Sequence, residues 1–156
     1  MADNEAAYFP LFVRLEKKKI LVFGGGAVAA RRILALLAFG ADITAVAPEF
    51  SDEVLSVKEK LALEKRCYQA GEIQTHYMVL AATNDHEVNN QIGAECRAKG
   101  ILVNVASDQT QSDFFFPGIV KRNNIVIGIT SSGKHHKEVK AMCRKINEML
   151  DGEEQL

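Results

Sequence analysis

Five short apolar runs separated by amphipathic stretches organise the first two-thirds of the chain. Lys19 to Phe23 is the first, and it runs straight into Gly24-Gly25-Gly26. Ala27 to Phe39 then carries alanine and leucine at helical spacing, so the segment reads as strand, tight turn and helix. Gly40 stands where a helix C-cap is expected, and Ala41 to Ala47 gives a second strand stopped by Pro48. Ser51 is placed to cap a short helix through Lys60, and Leu61 to Cys67 alternates as a strand does. Met78 to Ala82 is apolar throughout, the mark of a parallel strand buried on both faces. Asp85 to Lys99 reads as a helix stopped by Gly100, and Ile101 to Val105 as the fifth strand.

Strands alternating with helices predict a Rossmann-like, doubly wound α/β fold, a parallel sheet covered on both faces. The pattern changes at Phe114. Phe114 to Lys121 and Ile125 to Thr130 are β-rich runs joined by Arg122-Asn123-Asn124, too short a link for a crossover helix, which predicts a hairpin. Ser131-Ser132-Gly133 leads into a last helix reaching Leu150. The expected division is a dinucleotide-binding domain over residues 1–112 and a hairpin-plus-helix segment over residues 113–156.

Charge narrows the partners. Nineteen Lys and Arg face 20 Asp and Glu, a formal net charge of -1, so no general positive surface favours nucleic acid or an anionic membrane. No apolar run approaches the ~20 residues of a membrane span, and a cytoplasmic protein is expected. Cys67, Cys96 and Cys143 are odd in number and widely spaced, which predicts reduced thiols and no thiolate metal site. His135 and His136 are adjacent, a spacing that does not let two ring nitrogens share one ion, so no metal ligands are assigned.

The sharpest local signal is Gly24-Gly25-Gly26-Ala27-Val28-Ala29, a G-x-G-x-x-A turn between a strand and a helix. Gly24 permits the tight turn, Gly26 lets the backbone approach a pyrophosphate, and the amides of the helix N-terminus, at Ala27 and Val28, face the phosphates. Dinucleotide binding follows. An acid about 20 residues further on commonly takes the ribose hydroxyls. Here Pro48-Glu49 holds that position, Glu49 being 23 residues past Gly26. Glu49 fits either a ribose ligand or a solvated loop acid. No arginine stands beside Pro48 to favour a 2'-phosphate, which tilts the choice toward NAD without deciding it.

Further motifs occur in a specific order: Tyr8-Phe9-Pro10-Leu11-Phe12-Val13, the glycine turn running into Arg31-Arg32, Ala81-Ala82-Thr83-Asn84-Asp85, Val88-Asn89, Val103-Asn104-Val105, Phe116-Pro117 and Ser131-Ser132-Gly133. In these the chain resembles, over nearly its whole length, the N-terminal domain of siroheme synthases, the precorrin-2 dehydrogenase/sirohydrochlorin ferrochelatase family. The resemblance implies NAD-dependent oxidation of precorrin-2 to sirohydrochlorin and, in some members, insertion of ferrous iron. It implies a homodimer formed through the hairpin. It assigns Thr83, Asn84 and Val105 to the cofactor together with the glycine turn, and Asn104, Ser132 and Lys134 to the tetrapyrrole.

Three departures stand out. Family members carry an aspartate three residues after the asparagine of the Val-Asn-Val strand, whereas an ungapped match puts Ser107 there and Asp108 one place later. Asp108 is expected to carry proton transfer, against the alternative of a solvated loop aspartate. The Ser-Ser-Gly-Gly stretch of the family becomes Ser131-Ser132-Gly133-Lys134, opening a region to Lys145 with a local formal charge of +4. That charge suits a polycarboxylate tetrapyrrole, and equally a solvated helix face. Family chains continue into a helical domain, expected here to be absent. A non-catalytic NAD(H)-binding regulatory module and a tetrapyrrole chelatase or carrier are the rival readings, and the hairpin has no obvious counterpart in the first.

Overall fold

The run Lys19–Phe23 forms β1, the central strand of a sheet assembled from both directions, in a computed structural model that describes residues 8–153. Helix α1 (Ala27–Leu37) leads to β2 (Asp42–Ala47), and α2 (Asp52–Leu55) with a 3-10 turn at Lys58–Lys60 leads to β3 (Ala62–Lys65). The chain then returns to the other side of β1 with β4 (Met78–Ala81), α3 (His86–Lys99) and β5 (Leu102–Val105). The order β3-β2-β1-β4-β5, parallel throughout, is that of a doubly wound sheet.

Register sorts the core. Leu21, Phe23, Val46, Val79, Ala81, Val103 and Val105 share the face that packs on Ile92 and Cys96 of α3. The alternate positions Val22, Ala45, Leu80 and Asn104 are register partners on the opposite face, the side of α1 with its buried Ala29, Ala30, Ile33 and Leu36. Both long helices of this sheet end in the same motif. Gly40, at φ +75°, bonds back to Leu37 while Ala41 reaches the carbonyl of Leu36. Gly100, at φ +66°, bonds to Arg97 while Ile101 reaches Cys96. The edge of β5 is covered from its own chain: Asp113 Oδ2 accepts from the Val103 N–H at 2.8 Å and Ser112 Oγ from the Val105 N–H at 2.8 Å.

After a second 3-10 turn (Gln109–Gln111), β6 (Gly118–Arg122) and β7 (Ile125–Ile129) pair antiparallel, and α4 (His136–Glu153) follows. Two compact units result. One is continuous from Arg14 to Phe114; the other joins the stretch up to Val13 with Phe115 onward. The expected first domain begins at residue 1, and residues 1–7 lie outside the described residues. In the second unit Tyr8 meets Phe115 edge-on at 4.4 Å. Gly118 sits against α4, where an added Cβ would meet Cys143 Sγ at 2.6 Å and Val139 at 2.7 Å.

Three expected boundaries shift. The Ser51 to Lys60 helix is two short pieces, because the backbone leaves the helical range at Val57, with φ -116° and ψ 15°. The first hairpin strand starts at Gly118 rather than Phe114, since Pro117 lacks the N–H a ladder needs. Arg122 belongs to β6, pairing with Ile125, so the turn is Asn123-Asn124 alone, with Asn123 at φ +49°.

Candidate cofactor cleft

At the carboxyl ends of β1, β2 and β4, where the chain switches sides of β1, the backbone opens a cleft of about 560 Å³. This is the crevice in which open α/β sheets hold nucleotides, and its volume lies within the ~300–1,000 Å³ of small-molecule sites. The glycine turn forms its floor. Gly24, at φ +130°, has no space for a Cβ, which would stand 2.2 Å from the Ala82 carbonyl oxygen. Gly25 is equally confined, 2.0 Å from the Glu49 carbonyl oxygen, and its own carbonyl accepts from the Ser51 N–H at 2.8 Å. Gly26 alone of the three faces open space. It is the N-cap of α1, whose first turn, exposed at Ala27 and Val28, carries no acid. A floor bare of side chains, ending in unpaired helix amides with no competing carboxylate, fits a pyrophosphate.

The walls come from three loops. Pro48 and Glu49 follow β2, and Arg66, Cys67 and Tyr68 follow β3. Tyr68 meets Phe23 edge-on at 5.2 Å, and with Val88 these rings give the cleft apolar sides. Arg66 corrects the expectation that no arginine stands by Pro48: its N–H bonds the Ala47 carbonyl at 3.1 Å, bringing it to the end of β2 through strand pairing. Opposite lie Thr83, Asn84 and Asp85. Asp85 caps α3, its Oδ1 accepting from the N–H groups of Glu87 (2.9 Å) and Val88 (3.2 Å).

Helix α3 holds these walls in place. Asn89 is fully buried; its Oδ1 accepts from Thr83 N–H (3.0 Å) and Thr83 Oγ1 (2.7 Å), and its Nδ2 donates to the Thr83 carbonyl (3.0 Å) and Ser107 Oγ (3.2 Å). One side chain thereby ties the loop after β4 to the loop after β5. Glu95 does the same for residues 66–73, accepting from Tyr68 Oη (2.5 Å), Gly71 N–H (3.0 Å), Ile73 N–H (3.0 Å) and Lys99 Nζ (2.7 Å). Burial pushes its carboxyl pKa up, but the Lys99 ammonium, the Tyr68 hydroxyl and the two amides outweigh this and hold it at about 2. Sequence reasoning gave Asn89 no role of its own and missed Glu95; polar residues on the inner face of a predicted helix were the available signal.

The remaining assigned residues divide. Val105 has its side chain in the hydrophobic core, so the assignment to the cofactor holds at most for its backbone. Asn104 is buried on β5, its Nδ2 donating to the Phe114 carbonyl at 2.7 Å, and it does not line the cleft. Asp108 turns its carboxylate into its own loop, Oδ1 accepting from Thr110 N–H (3.0 Å) and Oγ1 (2.7 Å), and Oδ2 from Gln111 Nε2 (2.9 Å). The Thr110 hydroxyl, then Gln111 and the Thr110 amide, hold its pKa below the usual aspartate value. Ser132, at φ +54°, and Lys134 lie in the other compact unit, in the turn before α4. Among the described residues no group of three or more His, Cys, Asp or Glu is placed to hold a metal ion, and no helix is long and apolar enough to cross a membrane.

Known proteins agree with this geometry. Residues 11–118 match the family described as "Putative NAD(P)-binding". The precorrin-2 dehydrogenase of Bacillus subtilis is 33% identical over 146 residues, covering 92% of this chain and 90% of that protein. The "Probable multifunctional siroheme biosynthesis protein HemA" of Ruminiclostridium josui is 38% identical over 151 residues, and the siroheme synthase of Psychromonas ingrahamii 36% over 146. The chain spans only 29% and 30% of the length of these last two. The solved structure of SirC, precorrin-2 dehydrogenase, superposes with a TM-score of 0.71 at 27% identity, covering 94% of this chain and 71% of that one. With a glycine floor at the switch point and near-complete overlap with a relative of its own size, the chain belongs to the NAD(P)-binding family of precorrin-2 dehydrogenases and siroheme synthases.

Proposed function

We propose that the protein oxidises precorrin-2 to sirohydrochlorin, with NAD as the acceptor, in siroheme biosynthesis. The observation that carries this reading is the match to the Bacillus subtilis enzyme over 90% of its length. The reaction removes two electrons and two protons from the macrocycle. NAD, when bound, would supply the hydride acceptor, and the second proton leaves to a base or to solvent. The work of the protein is to orient two large ligands. The glycine turn and the N-terminus of α1 hold the pyrophosphate, Glu49 meets the adenosine ribose, and the Asn89-tied loops after β4 and β5 frame the redox half. Asp108 receives the proton, the carboxylate role that the resemblance implies and that the Ser107 hydroxyl does not supply; the bonds from Thr110 and Gln111 weaken it as a base and must be exchanged for the substrate.

The tetrapyrrole is drawn by the basic stretch of Lys134, Lys137, Lys140, Arg144 and Lys145, in the turn before α4 and along the helix, whose charge suits a polycarboxylate. A second copy of the chain completes the enzyme through the hairpin unit, and the cytoplasm, with its NAD pool, is the compartment that suits it. Anaerobic incubation with precorrin-2 and NAD tests the reading by NADH formation and the sirohydrochlorin spectrum. Tight NAD binding without turnover would favour a regulatory module instead. In the same assay Asp108→Asn is expected to lower kcat about 100-fold and Ser107→Ala by much less. A fully active Asp108→Asn protein would assign the proton to solvent. Ferrous iron added to the product scores the insertion step that the resemblance implies for some members.

A further inference from the structure

Arg66 stands at the end of β2, where a dinucleotide fold meets the adenosine ribose and where an arginine is the usual receptor for a 2'-phosphate. Its guanidinium is already saturated. Nε donates to Glu64 Oε2 at 2.8 Å, and Nη2 to Glu64 Oε2 at 2.6 Å and Glu72 Oε2 at 2.5 Å. Nη1 donates to Glu72 Oε1 at 3.0 Å and to the Cys67 carbonyl at 3.1 Å. These contacts match the five N–H donors of arginine, leaving none for an incoming anion. Glu64 and Arg66 are two apart on an extended segment, hence side by side, and Glu72 is held in turn by the Gln69 N–H at 2.6 Å. Two carboxylates against one guanidinium leave the trio with a net negative charge, and Glu49 on the same rim adds to it.

We propose that the Glu64–Arg66–Glu72 clamp sets the dinucleotide selectivity of the cleft, withholding Arg66 so that the site takes NAD and rejects a dinucleotide bearing a 2'-phosphate. The inference rests on the cofactor reading above. A ribose diol needs an acceptor, which Glu49 supplies. A phosphate needs free donors and positive charge, and to obtain them it would have to displace the bidentate Glu72 and the Glu64 carboxylate, which remain beside it as like charges. The acids therefore convert a residue suited to NADP into one that closes the site to it.

Calorimetry of NAD+ and NADP+ with the full chain tests this. The wild type is expected to bind NAD+ about tenfold or more tighter than NADP+. Glu64→Gln/Glu72→Gln leaves the guanidinium its charge and frees donors, so NADP+ affinity should rise about tenfold or more while NAD+ affinity stays within about threefold. Adding Arg66→Gln to that pair should cancel the gain. Glu64→Gln alone, at an exposed position, should give a smaller gain of about threefold and keeps the test open if the double variant does not fold. Unchanged NADP+ affinity in variants that still bind NAD+, or a gain that survives loss of Arg66, would overturn the clamp. A wild type that binds neither dinucleotide would instead overturn the cofactor reading.

Discussion

Three adjacent glycines occupy three unlike environments, and the difference separates folding from binding. At Gly24 and Gly25 an added methyl would press on the carbonyl oxygens of Ala82 and Glu49, backbone groups that cannot swing aside. Gly24→Ala and Gly25→Ala are each expected to cost about 2 kcal/mol or more in stability, Gly24→Ala the more because its φ of +130° is also unfavourable to alanine. Gly26 has an ordinary φ of -85° and open space, so Gly26→Val should melt close to wild type and yet lose NAD binding, its side chain occupying the approach to the phosphates. Chemical denaturation and calorimetry on the three variants check the split. An unchanged affinity for NAD in Gly26→Val would misplace the pyrophosphate. The sequence pattern made this turn legible because strand, glycines and helix are contiguous. Arg66 was not legible: 19 residues separate it from Ala47, and only the pairing of β2 with β3 brings them together.

Helix α3 does for the loops what the glycine turn does for the phosphates. Its start is capped by Asp85, its first turn holds Thr83 and Ser107 through Asn89, and its end holds residues 66–73 through Glu95 and Lys99, whose Nζ also bonds the Ile73 carbonyl. The Asp85 cap and the Gly100 stop could be read from the chain, because both are local signals. The purpose of Asn89 and Glu95 could not, since their partners arrive from loops 6 to 27 residues away. Glu95 carries a titration consequence. Its carboxyl is held at about 2 in the folded protein, below the ~4.3 of an unfolded glutamate. Its contribution is therefore complete above that unfolded value and is lost as pH falls toward the folded one. Glu95→Gln, which loses the charge that Lys99 and the two amides need, is expected to cost about 2 kcal/mol at neutral pH and much less near pH 2. Urea melts at both pH values check this, and an equal loss at both would show that the charge is not what holds the loop.

At the scale of the whole molecule, alternation of strands and helices was enough to predict the parallel sheet, because right-handed crossovers leave few other topologies. The second unit was less legible, since it is discontinuous and takes residues from before β1 as well as after β5. Its composition bears on assembly. A two-stranded ribbon is marginal alone, and β6 and β7 pair only with each other among the described residues. Phe9, Leu11, Phe12, Ile125 and Met149, all in this unit, are exposed, with Phe9 at 85%. Large apolar side chains gathered in one unit suit an interface with a second copy, so a dimer is expected by light scattering at micromolar concentration. Ile125→Glu, a charge at the exposed end of β7, should shift the mass toward the monomer. The cofactor cleft is built entirely from residues between Arg14 and Phe114, so the dissociated variant should keep the wild-type affinity for NAD. A monomeric wild type would remove the dimer. Loss of NAD binding on dissociation would show instead that the cleft depends on the second unit.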